Sequence, residues 1–350
     1  MKKLLPIILV LALMLSFAAC TAEDVSKAED SSATESDTAG ENSYTLGFGV
    51  IPSVSSSKTG SAAVTAMFAS VITDSDGKVV ACKIDEVANK LDITDGVIAD
   101  NATETVFKTK QELGSGYGMG SISPIGKEWF EQANAFADYC VGKTVDEIKA
   151  ITLTENEKGN KIVADLSASC TVDSTEFLEA VIKAVNDAGK AFTCSGEVSV
   201  GIVAISSVSG SSASATDEAD GKAAFYTEFS AVAVDSDGKV LAAVIDAIQP
   251  KVTFNTAGEI TLDDNYTVTS KRELGENYGM ASSSPIGKEW FEQVDAFADY
   301  CVGKTSAEVS AIELTENSEG NMVVADLSAS CTIGSSDLVK VVAAAAANAD

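Results

Sequence analysis

Alternating apolar positions at the start of each half of the chain predict β-strands. Small and β-branched residues alternate over 44–49, and a similar pattern returns over 198–205. A period of two is typical of a strand with one buried face. Each segment is followed by two apolar runs that meet at an Asp-Gly dipeptide, at Asp76 and at Asp237. Because Asp-Gly between two such runs is a strong hairpin signal, the runs at 63–73 and 78–87, and those at 223–234 and 239–248, are predicted as hairpin strands.

Helical periodicity takes over in the middle of each half. Trp129, Phe136 and Cys140 fall on one face of a helix. Capping-box sequences that begin at Thr144 and at Thr305 each predict the start of a further short helix. A strand is then predicted at 161–166 and 322–327, and a closing helix at 175–188 and 336–347.

The two sets of elements belong to an internal duplication. Residues 123–144 read SPIGKEWFEQANAFADYCVGKT, and 284–305 repeat them with two changes. The Asp-Gly hairpin and the segment ADLSASCT, at 164–171, return at the same offset. This spacing is far longer than the 20–50 residues of a stacked repeat, so it predicts two tandem copies of one domain. Strands and helices are segregated within each copy, which favours an α+β fold with a small, mainly antiparallel sheet and packed helices.

The N-terminal residues resemble a bacterial lipoprotein signal peptide. Lys2 and Lys3 precede an apolar run that is too short to span a bilayer comfortably, and small residues then lead to Cys20. The resemblance implies cleavage before Cys20, acylation of its thiol, export, and attachment to the outer face of the cell membrane. An ordinary secretory signal is the alternative. The predicted organisation is therefore a signal peptide at 1–19, an acidic spacer at 20–43, and the two copies at 44–191 and 196–350.

Composition removes several function classes. The chain has 24 Lys and Arg residues against 52 Asp and Glu residues, a formal net charge of −28, and no histidine. Such a surface repels phosphate backbones, so nucleic acid is not an expected partner. Without histidine there is no Ser-His-Asp triad and no His-ligated metal. The absence of a Cys-x-x-Cys motif removes support for structural zinc.

Repeated aromatic and cysteine residues leave two questions open. The aromatics shared by both copies suit core packing, although Tyr117 or Tyr278 is also a candidate for lining a flat ligand. The cysteines at 140 and 170, repeated at 301 and 331, are either one disulfide per copy or free thiols.

The segment that joins the last predicted strand to the closing helix is the candidate site. It begins at Asp165 in the first copy and at Asp326 in the second, and small or hydroxyl residues fill the connection. Free amides at a helix start suit an anionic group, whereas ordinary capping by hydroxyl side chains is the plainer interpretation. The site residues that we single out are Asp165, Ser169, Cys170 and Thr171, with Asp326, Ser330, Cys331 and Thr332.

This order of elements resembles the bacterial FMN-binding domain family, in which an Asp-x-x-[Ser/Thr]-Gly-Ala-[Ser/Thr] motif precedes a closing helix. The resemblance implies that Asp165 and Asp326 match the motif aspartate. It also implies that a separate FMN transferase esterifies the FMN phosphate to Thr171 and Thr332. Small residues replace the motif glycine and its neighbours in both copies.

The implied function is that of an electron carrier outside the cytoplasm, with redox partners that the sequence does not name, rather than an enzyme with its own turnover. The flavin would supply the redox chemistry. The alternative is a cofactor-free envelope lipoprotein that binds a ligand or partner or acts as a spacer.

Overall fold

The alternating segments pair into two antiparallel sheets, one for each copy. The computed structural model describes residues 41–187, 189–210, 212–263 and 265–349. The main strands of the first copy are β1 (Asn42–Ser53), β2 (Ser61–Asp74), β3 (Val79–Thr94), β4 (Val97–Ile98), the short pair β5 (Thr154–Glu155) and β6 (Lys161–Ile162), and β7 (Lys190–Cys194). The first sheet has the order β4-β3-β2-β1-β7.

The second copy repeats the three central strands of this sheet, with one interruption. Its strands are β8 (Val198–Val208), β9 (Gly221–Asp235), β10 (Val240–Ile248), β11 (Lys251–Phe254) and the short pair β12 (Thr315–Glu316) and β13 (Met322–Val323). β9 pairs with β8 on one side and with β10 and β11 on the other. Pro250 lies between β10 and β11, where the equivalent β3 is continuous. Proline has no N–H to donate to a ladder, so it divides the strand in two.

Helices cover the outer face of each sheet. They are α1 (Lys110–Leu113), α2 (Trp129–Cys140), α3 (Val145–Lys149) and α4 (Thr175–Asn186), and in the second copy α5 (Lys271–Leu274), α6 (Trp290–Cys301), α7 (Ser306–Ser310) and α8 (Ser336–Ala347). The apolar faces of α2 and α4 pack on the first sheet, and those of α6 and α8 pack on the second.

The inner faces of the two sheets pack on each other. Phe48 and Phe68 of the first sheet contact Phe229 of the second, with ring centroids 5.9 and 5.1 Å apart. The result is four layers, helix–sheet–sheet–helix, in which the two copies share the central core. Both copies lie within one compact unit. The predicted domain boundaries remain a prediction.

Two glycines allow the closing helices to lie directly on the strands. A Cβ atom at Gly47 would stand 2.1 Å from the carbonyl oxygen of Ala184, and one at Gly201 would stand 1.9 Å from that of Ala345. Only a residue without a side chain permits this approach, so the same contact fixes α4 on β1 and α8 on β8.

The α+β class is confirmed, as are both hairpins, the helix from Trp129, and the capping boxes at Thr144 and Thr305. The strand predicted at 161–166 is wrong beyond Ile162, because a 3₁₀ helix covers Ala164–Leu166, and 325–327 behave alike. The signal peptide, Cys20 and nearly all of the spacer lie outside the described residues. In the part that the structure describes, no helix is long and apolar enough to cross a membrane.

Candidate functional site

A buried glutamine holds each threonine of the predicted attachment motif. Gln132 of α2 is fully buried, and its Oε1 accepts hydrogen bonds from the backbone N–H of Thr171 (2.8 Å), the hydroxyl of Thr171 (3.3 Å) and the backbone N–H of Val172 (3.3 Å). In the second copy Gln293 accepts from the N–H and the hydroxyl of Thr332 at 2.9 and 3.3 Å. The two threonines therefore occupy equivalent, fixed positions.

The amide nitrogen of the same glutamine reaches the loop on its other side. Gln132 Nε2 donates to the carbonyl of Lys127 at 2.9 Å and contacts Ser123 Oγ at 3.3 Å and Met119 Sδ at 3.5 Å. Gln293 makes the same three contacts in the second copy. A buried amide with every polar atom engaged is rigid, so the glutamine couples the threonine loop to the loop that carries Met119.

Two asparagines complete the threonine loop. The carbonyl of Thr171 accepts from Asn160 Nδ2 at 2.9 Å and from Asn156 Nδ2 at 3.4 Å. The second copy repeats both bonds to Thr332. The backbone of the loop is thus held from both sides.

The other residues of the predicted motif are placed less centrally. Asp165 is exposed within the 3₁₀ helix, Ser169 Oγ donates to the carbonyl of Leu166 at 3.3 Å, and Cys170 is buried with its Sγ 3.6 Å from Ser174 Oγ. The second copy places its equivalents in the same way, namely Asp326, Ser330 and Cys331. Ser169 and Cys170 therefore shape the loop, while Asp165 remains available on the surface.

Tyr117 lies over a partly buried lysine, Lys110. The Lys110 ammonium is 5.1 Å from the centroid of the Tyr117 ring and 5.0 Å from that of the Trp129 indole. Trp129 is 2% exposed, whereas Tyr117 is 37% exposed. The tryptophan is thus a core residue, and the tyrosine forms a partly open cover.

The second copy encloses its lysine with three rings. Lys271 Nζ lies 4.9 Å from the ring centroids of Tyr226, Tyr278 and Trp290. Lys271 is 6% exposed. Cation–π attraction partly offsets the loss of water around the ammonium. We call Lys110 with Tyr117 and Trp129, and Lys271 with its three rings, the first and second aromatic boxes.

The carboxylate beside each box comes from a different strand in each copy. In the first copy Lys110 Nζ and Glu86 Oε2 are 2.6 Å apart, and Met67 is the residue opposite Glu86 in the neighbouring strand. In the second copy the glutamate is Glu228, at the position of Met67, and Ala247 occupies the position of Glu86. Each box therefore has one glutamate nearby, and a different strand supplies it in each copy.

In the second box the lysine and the glutamate do not form an ion pair. Among the described residues Lys271 has no carboxylate within 4.0 Å, and Glu228 Oε2 is buried without a hydrogen-bond partner. The hydroxyl of Tyr226 bonds to the other oxygen, Oε1, at 3.3 Å. Burial lowers the pKa of Lys271 to about 8 and raises the pKa of Glu228 to about 7. Both groups are therefore poised to gain or lose a proton near neutral pH.

A cavity opens beside the first box. Its volume is about 520 Å³, and its lining includes Lys110, Met119, Trp129 and Val172. Val172 adjoins Thr171, and Met119 is the residue that Gln132 contacts. The carboxylates that line the cavity are Glu86, Asp173, Glu176 and Glu179. Burial and the neighbouring carboxylate of Glu86 raise the pKa of Glu176.

A buried aspartate positions each lysine. Asp85 Oδ1 accepts from the backbone N–H of Glu86 at 2.7 Å and of Gln111 at 3.0 Å. This bond ties the start of α1, and hence Lys110, to β3. Burial raises the pKa of Asp85 to about 7. Asp246 holds α5 through the N–H of Arg272 in the same way.

Sequence reasoning found the threonine loops and both tyrosines but missed the glutamines and the lysines. Gln132 stood inside the repeated block, so its return as Gln293 was an available signal. Lys110 returns as Lys271 at the same offset, but nothing local in the pattern marks a lysine as buried. The partner carboxylates carry no such signal, because they do not recur at equivalent positions.

The cysteines of the described residues all carry free thiols. Cys140, Cys170, Cys301 and Cys331 are buried, while Cys82 and Cys194 are partly exposed. The disulfides that the sequence left open do not form in the structure. No group of three or more cysteine or acidic side chains in the described part is placed to hold a metal ion.

Comparisons with known proteins give one informative similarity. No protein-family model matches the chain, and no solved structure matches it. A protein named chlorophenol reductase from Desulfitobacterium hafniense is 28% identical over 155 residues, which cover 32% of this chain and 47% of that protein. The chain thus spans about half the length of this curated relative. The resemblance to the FMN-binding domain remains a prediction, and the similarity that the comparisons add is to a protein whose name is that of a reductase.

Proposed function

We propose that this protein is a lipid-anchored redox carrier that binds FMN in each copy and relays electrons outside the cytoplasm. Thr171 and Thr332 carry the flavin through a phosphoester, Asp165 and Asp326 belong to the surface that the FMN transferase recognises, and Cys20 carries the lipid. When bound, FMN supplies the one- and two-electron chemistry that the side chains of this chain lack.

The observation that carries the proposal is the link between the threonine and the aromatic box. Gln132 bonds to Thr171 on one side and contacts Met119 on the other, and Met119 lines the cavity beside Lys110 and Trp129. The contacts of the glutamine recur in the second copy. The similarity to a protein named a reductase supports a redox role.

The residues present fit the ring system of a flavin. Lys271 and the unpartnered oxygen of Glu228 present a donor and an acceptor next to Tyr226, Tyr278 and Trp290. The pyrimidine edge of a flavin has carbonyl acceptors beside an N–H donor, which is the complementary set. These side chains would hold that edge and exclude water from it.

The first cavity favours an attached flavin over a dissociable one. Four carboxylates and one ammonium, that of Lys110, line the cavity. The carboxylates belong to Glu86, Asp173, Glu176 and Glu179. A free phosphate would be repelled by this excess of negative charge. In an ester at Thr171 the phosphate lies at the loop instead. As a phosphodiester it carries one negative charge, whereas the phosphate of free FMN carries two.

Intact mass spectrometry tests the proposal. The chain is co-expressed with an FMN transferase, and we expect one flavin mass per copy. Thr171→Ala and Thr332→Ala should each remove one flavin, and the double variant should remove both. Ser167→Ala is the matched control, because Ser167 is an exposed hydroxyl of the same loop and should leave both flavins in place.

The outcome also decides the alternative. A folded chain that gains no flavin mass and no visible absorbance after FMN is added would refute flavin binding and favour a cofactor-free envelope protein. Labelling with palmitate, and its loss in Cys20→Ser, tests the anchor separately. Cleavage of the tethered protein by a protease added to intact cells tests its position outside the cytoplasm.

A further inference from the structure

The charged residues around the first aromatic box are mostly acidic. The cavity beside the box is lined by one ammonium and four carboxylates, those of Lys110, Glu86, Asp173, Glu176 and Glu179. Glu176 interacts electrostatically with each of the other four, so the five groups act on one another. Lys161 attracts Asp173 from outside the cavity lining. The lining itself therefore has three more negative charges than positive ones.

The second copy has a different set of charges at the equivalent positions. Lys110 and Glu176 correspond to Lys271 and Asp337, so their charges are unchanged. At the other three positions the negative charge is lost, and the residues are Ala247 in place of Glu86, Gly334 in place of Asp173, and Lys340 in place of Glu179. Glu228, opposite Ala247 in the sheet, adds one carboxylate. The second set thus has two positive and two negative charges.

These four charged residues of the second copy are neighbours. Glu228 interacts electrostatically with Asp337, Lys271 and Lys340. Lys340 Nζ lies 2.8 Å from Asp337 Oδ1, so these two side chains of α8 form an ion pair of their own. The second box is therefore formally neutral, whereas the first has an excess of negative charge.

Burial strengthens the contrast at the lysine itself. Lys110 and Glu86 form a largely enclosed ion pair at 2.6 Å, so a carboxylate already neutralises this ammonium. Lys271 is 6% exposed, and in the described part of the chain no carboxylate lies within 4.0 Å of its Nζ. Because charges interact more strongly where water is excluded, the unpaired ammonium of Lys271 acts more strongly on a neighbouring group than the paired ammonium of Lys110 does.

This difference in charge matters to a flavin. Reduction adds electrons to the ring system, and charge near the ring nitrogens tunes the potential at which this happens. Positive charge favours the reduced form, and the excess of carboxylates around the first box opposes it. The second box is therefore the better environment for the reduced form.

We propose that the second copy holds its flavin at a higher reduction potential than the first, an inference that rests on the function proposed above. The relay then runs from the first copy to the second. Two electrons and one proton leave the reduced flavin of the first copy and are taken up by the oxidised flavin of the second. The first flavin is oxidised, the second is reduced, and no other reactant is consumed.

Chains with a single flavin measure the two potentials separately. Thr332→Ala leaves the flavin of the first copy, and Thr171→Ala leaves that of the second. Each chain, co-expressed with an FMN transferase, is reduced with dithionite alongside a reference dye of known potential, and absorbance gives the reduced fraction of both. We expect the second flavin to be the better acceptor by about tenfold in the equilibrium constant, which for a two-electron couple is about 30 mV.

Exchange of one charge between the copies tests the cause. Glu179 and Lys340 occupy equivalent, exposed positions on α4 and α8. Glu179→Lys should raise the potential of the first flavin, and Lys340→Glu should lower that of the second. Each change should be about threefold in the same equilibrium constant, because exposed charges are partly screened.

Asp76→Lys is the matched control for these charge reversals. Asp76 is exposed in the turn between β2 and β3 and does not line the cavity. It lies roughly 30 Å along the strand from Glu86, at ~3.3 Å per residue. Its substitution should therefore leave both potentials unchanged.

The possible results separate the two proposals. A folded chain without flavin mass would overturn the proposed function, and this inference with it. Two flavins at equal potentials, or a lower potential in the second copy, would overturn this inference alone. So would a difference in potential that both Glu179→Lys and Lys340→Glu leave unchanged.

Discussion

The buried ammonium of Lys271 should make the stability of this protein depend on pH. Burial lowers the pKa of Lys271 from 10.5 to about 8, against the attraction of Glu228 and Asp246. Between those two pH values the unfolded chain binds more protons than the folded one, so the free energy of unfolding rises with pH through this window.

The magnitude follows from the shift. One pKa unit corresponds to about 1.4 kcal/mol, so the charged lysine lowers the free energy of unfolding by about 3 kcal/mol at pH 7. About 1 kcal/mol of that loss is recovered between pH 7 and pH 9 as the folded protein releases the proton. The buried thiols act in the opposite direction, because burial raises the pKa of Cys301 to about 12 and that of Cys331 as well.

A comparison of two proteins isolates the lysine. Urea unfolding is followed by circular dichroism at pH 7, 8 and 9 for the unchanged chain and for Lys271→Met. The thiols cancel in the difference, which should favour the unchanged chain by about 1 kcal/mol more at pH 9 than at pH 7. Loss of the ammonium also raises the pKa of Glu228, since Lys271 lowers it, and this adds to the difference with the same sign.

The result that would refute the reasoning is a difference that is constant or that shrinks from pH 7 to pH 9. Lys158→Met is the control, because Lys158 is exposed in a loop of the first copy. It should leave the pH dependence unchanged.

Three further predictions concern the first aromatic box, the threonine loop and the free thiols. Glu86→Ala should lower the free energy of unfolding by about 3–5 kcal/mol, because it leaves the largely enclosed ammonium of Lys110 without its partner, and a loss below 1 kcal/mol in urea unfolding would contradict this role of the carboxylate. Gln132→Leu should cost about 2–4 kcal/mol in the same assay, since it leaves two backbone donors and a hydroxyl unsatisfied, and a smaller change than 1 kcal/mol would contradict the role of this amide. Iodoacetamide at pH 8, followed by peptide mass mapping, should modify Cys194 first among the cysteines of the described residues, and faster labelling of any of the four buried thiols would contradict the structure.

Local chemistry explains why part of this fold could be predicted from the sequence. The Asp-Gly hairpins and the capping boxes at Thr144 and Thr305 depend on residues within a few positions of one another, and all of them form. The prediction of a strand over 161–166 was wrong beyond Ile162, because the apolar residues that follow are also compatible with a 3₁₀ turn. β7 was missed because five residues next to a copy boundary are too few to show an alternation of apolar and polar positions. Its pairing with β1 depends on the space between the two sheets, which the sequence does not reveal.

The candidate site depends on contacts that no local pattern contains. The loop of Thr171 was identified from its small and hydroxyl residues, and the structure adds that a buried glutamine fixes it. Lys110 reads as an ordinary helix lysine, and only the packing of α1 on β3 shows that it is enclosed. Asp85, which fixes that packing, reads as a polar residue in a strand.

The duplication shows which part of each aromatic box is constrained. The lysine and the tryptophan occur in both copies, whereas the carboxylate belongs to Glu86 on β3 in the first copy and to Glu228 on β9, the equivalent of β2, in the second. A buried ion pair is weak evidence for stability, and apolar residues of similar volume would often serve the core as well. The lysine is nevertheless present in both copies, whichever strand supplies the nearby carboxylate. The enclosed ammonium is therefore the charged group that the two boxes have in common.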